Sequence, residues 1–177
     1  MLVALTFRRA DSQPCGAIMK AHSDPGEKQV NSVVTMLNLV LADECLLYSK
    51  TRNCDWSLAG SETRPLHDLF EQQYDRLADI IESLTERVRT LGAQAMGTMS
   101  EFLQYARLRE HLGKRAPAVR MIAHLLDDHE ALLRTLKGDL AVCAEEFEDV
   151  DTGKLLNDLM ARHENMARTL RAQLENS

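Results

Sequence analysis

The stretch LHDLFEQQYDRLADIIESLTERVRTL, from Leu66 to Leu91, indicates the fold class of this chain. Its apolar residues recur every three or four positions, the spacing that places side chains on one face of an α-helix. Pro65 suits the first turn of such a helix, and Gly92 suits the residue just beyond its end. The stretch therefore predicts one long helix over residues 66–91 that buries a single apolar face against other helices.

Three further segments have the same helical spacing of apolar residues. They predict long helices from residue 30 to about 53, from 119 to 142, and from 152 to about 174. Between the second and third long helices, the letters SEFLQYARL predict a short helix that Ser100 or Thr98 caps. No segment alternates like a β-strand. We therefore predict an all-α fold, a four-helix bundle of ferritin-like topology with a short extra helix in the long middle crossover.

Length and composition indicate one domain with a substantial core. The chain has 177 residues, of which 45% are apolar. Residues 1–27 contain prolines and glycines without helical spacing and predict a flexible tail, whereas residues 28–177 form the bundle domain. The net charge of −6 argues against nucleic-acid binding by the whole surface and fits the handling of cations.

The cellular location follows from what the sequence lacks. The N-terminal letters MLVALTFRR place their charges after the apolar stretch, the reverse of a secretory signal. No uninterrupted apolar run approaches the roughly 18 residues that a membrane helix needs. Cys15, Cys45, Cys54 and Cys143 show neither CxxC nor zinc-ligand spacing. We therefore expect a reduced, cytoplasmic protein that does not contact a membrane.

Two pairs of side chains on the second helix have the spacing of metal ligands. His67 and Glu71 are four residues apart and therefore share a helix face. Glu82 and Glu86 have the same spacing. Glu82 follows His67 by fifteen residues, which is about 22 Å along a straight helix. A joint site therefore requires two antiparallel copies of this helix across a two-fold axis. The alternative is that both pairs are ordinary solvent-facing charges.

A metal site inside one bundle is not predicted. A single-chain di-iron bundle carries Glu-x-x-His motifs on two helices, and no histidine of this chain has a glutamate three residues before it. The segment HLLDDHE also resembles a metal cluster. Its His124 and Asp128 share a helix face, but His129 is turned away by about 100°, so we interpret the segment as structural. We interpret Cys54 as a packed or idle thiol.

Longer segments of the chain resemble the Dps family, the ferritin-like DNA-binding proteins from starved cells. They are LADECLLYSKTRNCDWSLAGSETRPLHDLFEQQYDRLADIIESLTERVRTLG, GTMSEFLQYARLRE and LLDDHEALLRTLKGDL, and the resemblance covers roughly residues 30–174. It implies a ferroxidase that oxidises Fe(II), usually with hydrogen peroxide, and stores ferric mineral. It also implies a homododecameric cage, built from two-fold dimers, with iron as the bound metal.

The resemblance also implies which residues hold the iron. His67 and Glu71 match the histidine and carboxylate of one subunit, and Glu82 and Glu86 match the carboxylate pair of its partner. These four are the candidate catalytic and metal-binding residues. In related cages, acids near the start of the last helix line channels for iron entry. Asp151 and Asp158 are the candidates here, although a solvated acidic turn is the alternative interpretation.

Asp55 and Trp56 lie beside the predicted site in the sequence. Asp55 stands where the family usually has a histidine, and we treat it as a fifth, tentative ligand that is harder and more charged than imidazole. The alternative is that Asp55 points away, capping the loop or pairing with Arg52 or Arg64. Trp56 matches a tryptophan next to the iron. It can pack as an ordinary aromatic or accept oxidising equivalents that escape the metal, and we favour packing.

Two other functions remain open from the sequence. One is a cage whose metal site Asp55 has weakened, acting in DNA compaction or as a structural assembly. Some family members bind DNA through basic tails, and this tail has Arg8, Arg9 and Lys20. The other is a monomeric helical interaction module.

Overall fold

The computed structural model describes residues 25–58, 64–110, 116–147 and 149–176, and within these ranges the regular structure is helical throughout. The helices are α1 (Pro25–Ser57), α2 (Arg64–Thr90), α3 (Met99–Tyr105), α4 (Ala118–Val142) and α5 (Val150–Glu175). The predicted all-α fold, with a short helix in the middle crossover, is confirmed. The helix α1 begins inside the range predicted as a tail, at Pro25. The rest of that tail and the loop around Gly60 lie outside the described residues.

The helices pack as two hairpins, α1 with α2 and α4 with α5, which meet through α1 against α4 and α2 against α5. The apolar stripes predicted from the sequence face one another in the shared core. The largest fully buried side chains all belong to leucine, isoleucine or phenylalanine, and they are Leu37, Leu41, Leu47, Phe70, Leu77, Ile80, Leu84, Ile122, Leu125, Leu132, Leu136 and Leu156.

 
Leu156 completes this set on α5, so every long helix contributes to one continuous core. Burial of these side chains is what holds the four long helices together, at about 25 cal/mol for each Å² of apolar surface removed from water.

The end of α2 and the start of α3 are fixed by local sequence. Gly92 has a φ of 78°, a left-handed conformation that glycine adopts without steric cost. Its N–H bonds to the carbonyl of Arg89, and the N–H of Ala93 bonds to that of Val88, the Schellman pattern that ends a helix. Thr98 caps α3 in a capping box with Glu101. Of the two predicted caps, Thr98 is therefore the one used.

Arg107 ties the long crossover between the hairpins to two helices of the bundle. Arg107 follows α3, and its Nε donates to Asp43 Oδ2 of α1 at 2.7 Å. Its Nη1 donates to Asp139 Oδ2 of α4 at 2.8 Å. The Asp43 side chain is 1% exposed, and a buried carboxylate requires such a partner. The crossover is thereby held across α1 and α4.

The connection between α4 and α5 differs from the simple acidic turn that the sequence suggests. Residues Cys143–Phe147 form a π-helical turn that prolongs α4. Asp149 then caps α5, since its side chain accepts a hydrogen bond from the Thr152 N–H. Arg87 of α2 donates to the same carboxylate at 2.8 Å. The cap of α5 is thereby bonded to the last turns of α2.

The helix α1 is unusually apolar. Its Gly26–Ser57 segment has a window of mean hydropathy 1.5, enough by length and composition to cross a membrane. The property belongs to the average over the window, because α1 has no uninterrupted apolar run of that length. However, 61% of the window is buried inside the bundle, and α1 also carries the buried carboxylates Asp43 and Glu44. These are the properties of a central core helix.

Candidate metal centre

The structure brings together two of the predicted site residues, Asp55 and His67. Asp55 lies in the last turn of α1, and His67 lies in the first turn of α2. The Asp55 Oδ1 atom is 2.6 Å from His67 Nδ1. The side chains are 16% and 42% exposed, respectively. The packing of α1 against α2 therefore places an acid and a histidine in contact at the surface of the bundle.

This contact determines which histidine nitrogen is available. A carboxylate accepts hydrogen bonds, so Nδ1 of His67 carries the proton and donates to Asp55. In the neutral ring, Nε2 then keeps its lone pair. Metal-binding histidines commonly have this arrangement, in which a carboxylate orients the ring and raises its basicity. The sequence left open that Asp55 pairs with Arg52 or Arg64, and in the structure it contacts His67 instead.

Glu71 extends this group by one helical turn. It is exposed on α2, four residues after His67. On the neighbouring part of α1, the Arg52 guanidinium lies 4.3 Å from the Tyr74 ring centroid and 5.2 Å from that of Trp56. Stacking of this kind stabilises a cation over an aromatic face. Trp56 itself is 68% exposed, so the favoured packing role does not apply within one chain.

Glu82 and Glu86 lie elsewhere on the same helix. With Thr85, Arg89 and Thr90 they line an open groove of about 510 Å³ near the end of α2. Because α2 is one continuous helix, this groove is about 22 Å from His67. The four predicted ligands therefore form two separate groups in one chain, each with half of the predicted ligand set. Among the described residues, no group of three or more His, Cys, Asp or Glu side chains is arranged to hold a metal ion.

The remaining candidates have local partners. Asp151 is 3.3 Å from Lys154, and Asp158 is 2.8 Å from Arg162, with both acids exposed on α5. Their role in an iron channel stays a prediction. Burial raises the pKa of the Cys54 thiol to about 11, so this thiol is protonated at neutral pH and a poor nucleophile.

The polar side chains of the segment HLLDDHE have separate partners on different helices. Asp128 pairs with Lys50 of α1, and Glu130 pairs with Arg171 of α5 at 2.8 Å. His129 instead points into the bundle, where it contacts His163 and Gln73. The sequence predicts that His129 is turned away from His124 and Asp128, as it is in the structure, but it does not identify the partners of His129. The apolar spacing contained the signal, because His129 lies between Leu125 and Leu132 on the buried stripe.

Comparisons with known proteins agree with this architecture. The family model for the ferritin-like domain matches residues 34–177. An uncharacterized low temperature-induced protein of Nostoc sp. is 41% identical over 84% of this chain and 83% of its own length. A DNA protection during starvation protein of Brevibacillus brevis is 31% identical over 81% of this chain and 95% of its own length.

A solved structure extends the comparison to three dimensions. It is a Dps protein from Vibrio cholerae, described as a member of a broad superfamily of ferritin-like diiron-carboxylate proteins. It is 30% identical to this chain, with a TM-score of 0.76 over 83% of this chain and 91% of its own.

Proposed function

The chain belongs to the Dps family of ferritin-like proteins, and we propose that it oxidises Fe(II) at sites shared between two subunits and stores the ferric product in a dodecameric cage. Iron storage and DNA protection are general properties of this family. The finer assignment rests on the two half-sites of α2. We infer that a cytoplasmic homododecamer, assembled from two-fold dimers, completes them.

The contact between Asp55 and His67 is the observation that carries this proposal. It prepares one histidine nitrogen for a metal at the surface of the chain, beside the exposed carboxylate of Glu71. A half-site of this kind has too few ligands for a stable centre by itself. Two antiparallel copies of α2 bring Glu82 and Glu86 of one subunit to His67 of the other. Each dimer then has two identical sites.

The residues have distinct roles in this proposal. His67 binds Fe(II) through Nε2, and Glu71 binds it through a carboxylate oxygen. Glu82 and Glu86 of the second copy supply further oxygen ligands, which suit Fe(II) and stabilise the higher charge of Fe(III). Asp55 orients His67 and adds negative charge. In this proposal Asp55 therefore supports the site rather than weakening it.

The oxidation itself requires an electron acceptor, for which we propose hydrogen peroxide. Two Fe(II) ions each give up one electron, and the O–O bond of the peroxide breaks. With two protons the peroxide leaves as two water molecules, while both irons become Fe(III). Peroxide consumption and iron removal are thereby coupled, which protects the cell against oxidative damage.

Iron titration tests this function. Fe(II) is added anaerobically to the assembled protein, peroxide follows, and the ferric absorbance and the iron retained per cage are measured. We expect rapid oxidation and retention of far more iron than the sites themselves can hold. Glu86→Gln should lower the initial rate at least tenfold. Changing a residue that only supports a metal ligand typically lowers activity about 10–100-fold, and the loss of a ligand itself should cost at least as much.

The matched control is Glu164→Gln, the same chemical change at an exposed position of α5. It should oxidise iron at the wild-type rate. Size-exclusion chromatography must show the same assembly for all three proteins. Equal rates in Glu86→Gln and wild type would refute the assignment of this carboxylate.

A further inference from the structure

A chain of polar side chains crosses the middle of the bundle, with one member from each long helix. The members are Glu44 of α1, Gln73 of α2, His129 of α4 and His163 of α5, and their exposed fractions are 0%, 2%, 0% and 0%. Glu44 Oε1 is 2.8 Å from His163 Nε2. The two histidine Nδ1 atoms are 2.9 Å apart, and His129 Nε2 is 3.1 Å from Gln73 Oε1.

The direction of these hydrogen bonds is fixed at the Gln73 end. The Gln73 Nε2 atom donates to the carbonyl of Met166 at 3.2 Å, so Oε1 is its acceptor atom. His129 must therefore donate from Nε2. Burial, together with the neighbouring His163, holds the pKa of His129 well below its usual value. A neutral His129 has a lone pair on Nδ1, and His163 must donate to it from its own Nδ1.

The other end of the chain then needs a proton. With Nδ1 protonated, the neutral His163 ring has only a lone pair at Nε2. An ionised Glu44 also has only lone pairs, and two such atoms 2.8 Å apart in a dry core would repel each other. A hydrogen bond forms only if one proton lies between them. We propose that Glu44 and His163 jointly bind one proton in the core at neutral and mildly alkaline pH.

The second oxygen of Glu44 indicates where that proton lies. Oε2 is buried, and no described group donates a hydrogen bond to it. An unpaired oxygen in a dry core costs less when it belongs to a neutral carboxylic acid than when it shares a negative charge. The proton therefore belongs mainly to Oε1 of Glu44, which donates to His163. The whole chain of hydrogen bonds is then uncharged.

The charged groups nearby cannot take the role of the proton between Glu44 and His163. The acids adjacent in sequence to Glu44 and His129 are Asp43 and Asp128, and they pair with Arg107 and Lys50. A metal ion does not explain the arrangement either, because the donor atoms contact one another in pairs and no three described ligands converge. All four histidine nitrogens already have hydrogen-bond partners. The core thus holds one proton and has no place for a second.

Spectroscopy of the assembled wild-type protein at pH 8 tests the proposal. Exposed carboxyl groups and histidines are deprotonated at this pH. We expect an infrared band of a protonated carboxylic acid that shifts when glutamate is labelled with ¹³C and does not shift when aspartate is labelled. A histidinium signal in the ¹⁵N NMR spectrum instead would place the same shared proton on His163. Absence of both signals would overturn the proposal.

Variants assign the proton to this pair. Glu44→Gln offers an amide donor of the same shape and should remove the signal, whereas the exposed control Glu164→Gln should keep it. Asp139→Asn should also keep it, which excludes an aspartate whose pKa is raised by burial. A signal that survives in Glu44→Gln would overturn the assignment. If that variant does not assemble, the isotope shift in the wild-type protein decides the matter alone.

Discussion

A histidine contacts a carboxylate in two regions of this molecule, and the surroundings give the two pairs opposite properties. The outer pair, Asp55 and His67, is 2.6 Å apart at the edge of α1 and α2, with the histidine 42% exposed. The inner pair, Glu44 and His163, is 2.8 Å apart and fully buried. The outer histidine keeps one nitrogen free of protein partners in the described contacts, whereas both nitrogens of the inner one are used.

The comparison shows that unfilled bonding capacity, rather than residue type, distinguishes a binding site from a structural network. Around the outer pair, the free nitrogen and the exposed Glu71 are available to a metal ion and a second subunit. In the inner chain, each polar atom except Glu44 Oε2 and one Gln73 amide hydrogen has a described protein partner. The inner chain therefore stabilises the packing of the four helices and binds a proton.

The largest effect is expected at the outer pair. Asp55→Ala removes the group that orients His67 and fixes its proton on Nδ1. Fe(II) affinity should fall about 10–100-fold, the usual cost of losing a carboxylate behind a metal-binding histidine. Anaerobic Fe(II) titration by calorimetry measures it. Asp55→Asn should lose less, since the amide oxygen still accepts the Nδ1 hydrogen bond.

Asp79→Ala is the matched control for this prediction. Asp79 is exposed on α2, the helix that carries His67, and lies away from the pair. Its affinity for Fe(II) should equal that of the wild type. Unchanged affinity in Asp55→Ala would show that the outer contact does not serve a metal, and the contrast between the two regions would fail.

A smaller effect, on stability, is expected at the inner chain. Burial lowers the pKa of His129 in the folded protein, whereas an unfolded histidine titrates near 6.5. Below about pH 6.5 the unfolded chain therefore binds more protons, and stability is lost as the pH falls. One such group changes the unfolding equilibrium about tenfold, or about 1.4 kcal/mol, per pH unit. Above that pH its contribution is fully present.

The pH dependence of thermal unfolding measures this effect. His129→Asn keeps an oxygen near the Nδ1 position but cannot titrate, so its unfolding temperature should fall less steeply from pH 6.5 to 5. The variant should be less stable at every pH because it leaves a cavity. His124→Asn, on the same helix but only partly buried, should keep the wild-type slope. Parallel curves for His129→Asn and wild type would contradict the role given to the inner histidine.

The helices were predictable from the sequence because apolar spacing and end signals are local. Gly92 and Thr98 act at their own positions, and the predicted ends of α2, α4 and α5 agree with the structure to within two residues, the usual uncertainty of helix ends. The helix α1 is longer than predicted at both ends, since it runs from Pro25 to Ser57. The π-helical turn at Cys143–Phe147 was not predicted, since nothing local distinguishes it from an acidic turn. The separation of His67 from Glu82 also followed from helix geometry alone.

The contacts between helices were not predictable in the same way. The sequence places His129 and His163 on buried stripes, but which side chain each one meets depends on how the helices align. The same limit applies to Asp55, whose partner His67 lies on the next helix. The packing role of Trp56 stays a prediction, because this side chain is 68% exposed in one chain and the sequence does not show what a second subunit covers.

The most direct test of the central claim, a site shared between two subunits, is a mixed assembly of His67→Ala and Glu86→Gln proteins. Each pure assembly should oxidise Fe(II) at least tenfold more slowly than the wild type. A dimer of the two variants has one site with both changes and one site with neither. Random mixing of equal amounts makes about half of the dimers mixed, so about a quarter of the wild-type activity should return. If hybrids form, as native mass spectrometry can show, and no activity returns, the shared site is contradicted.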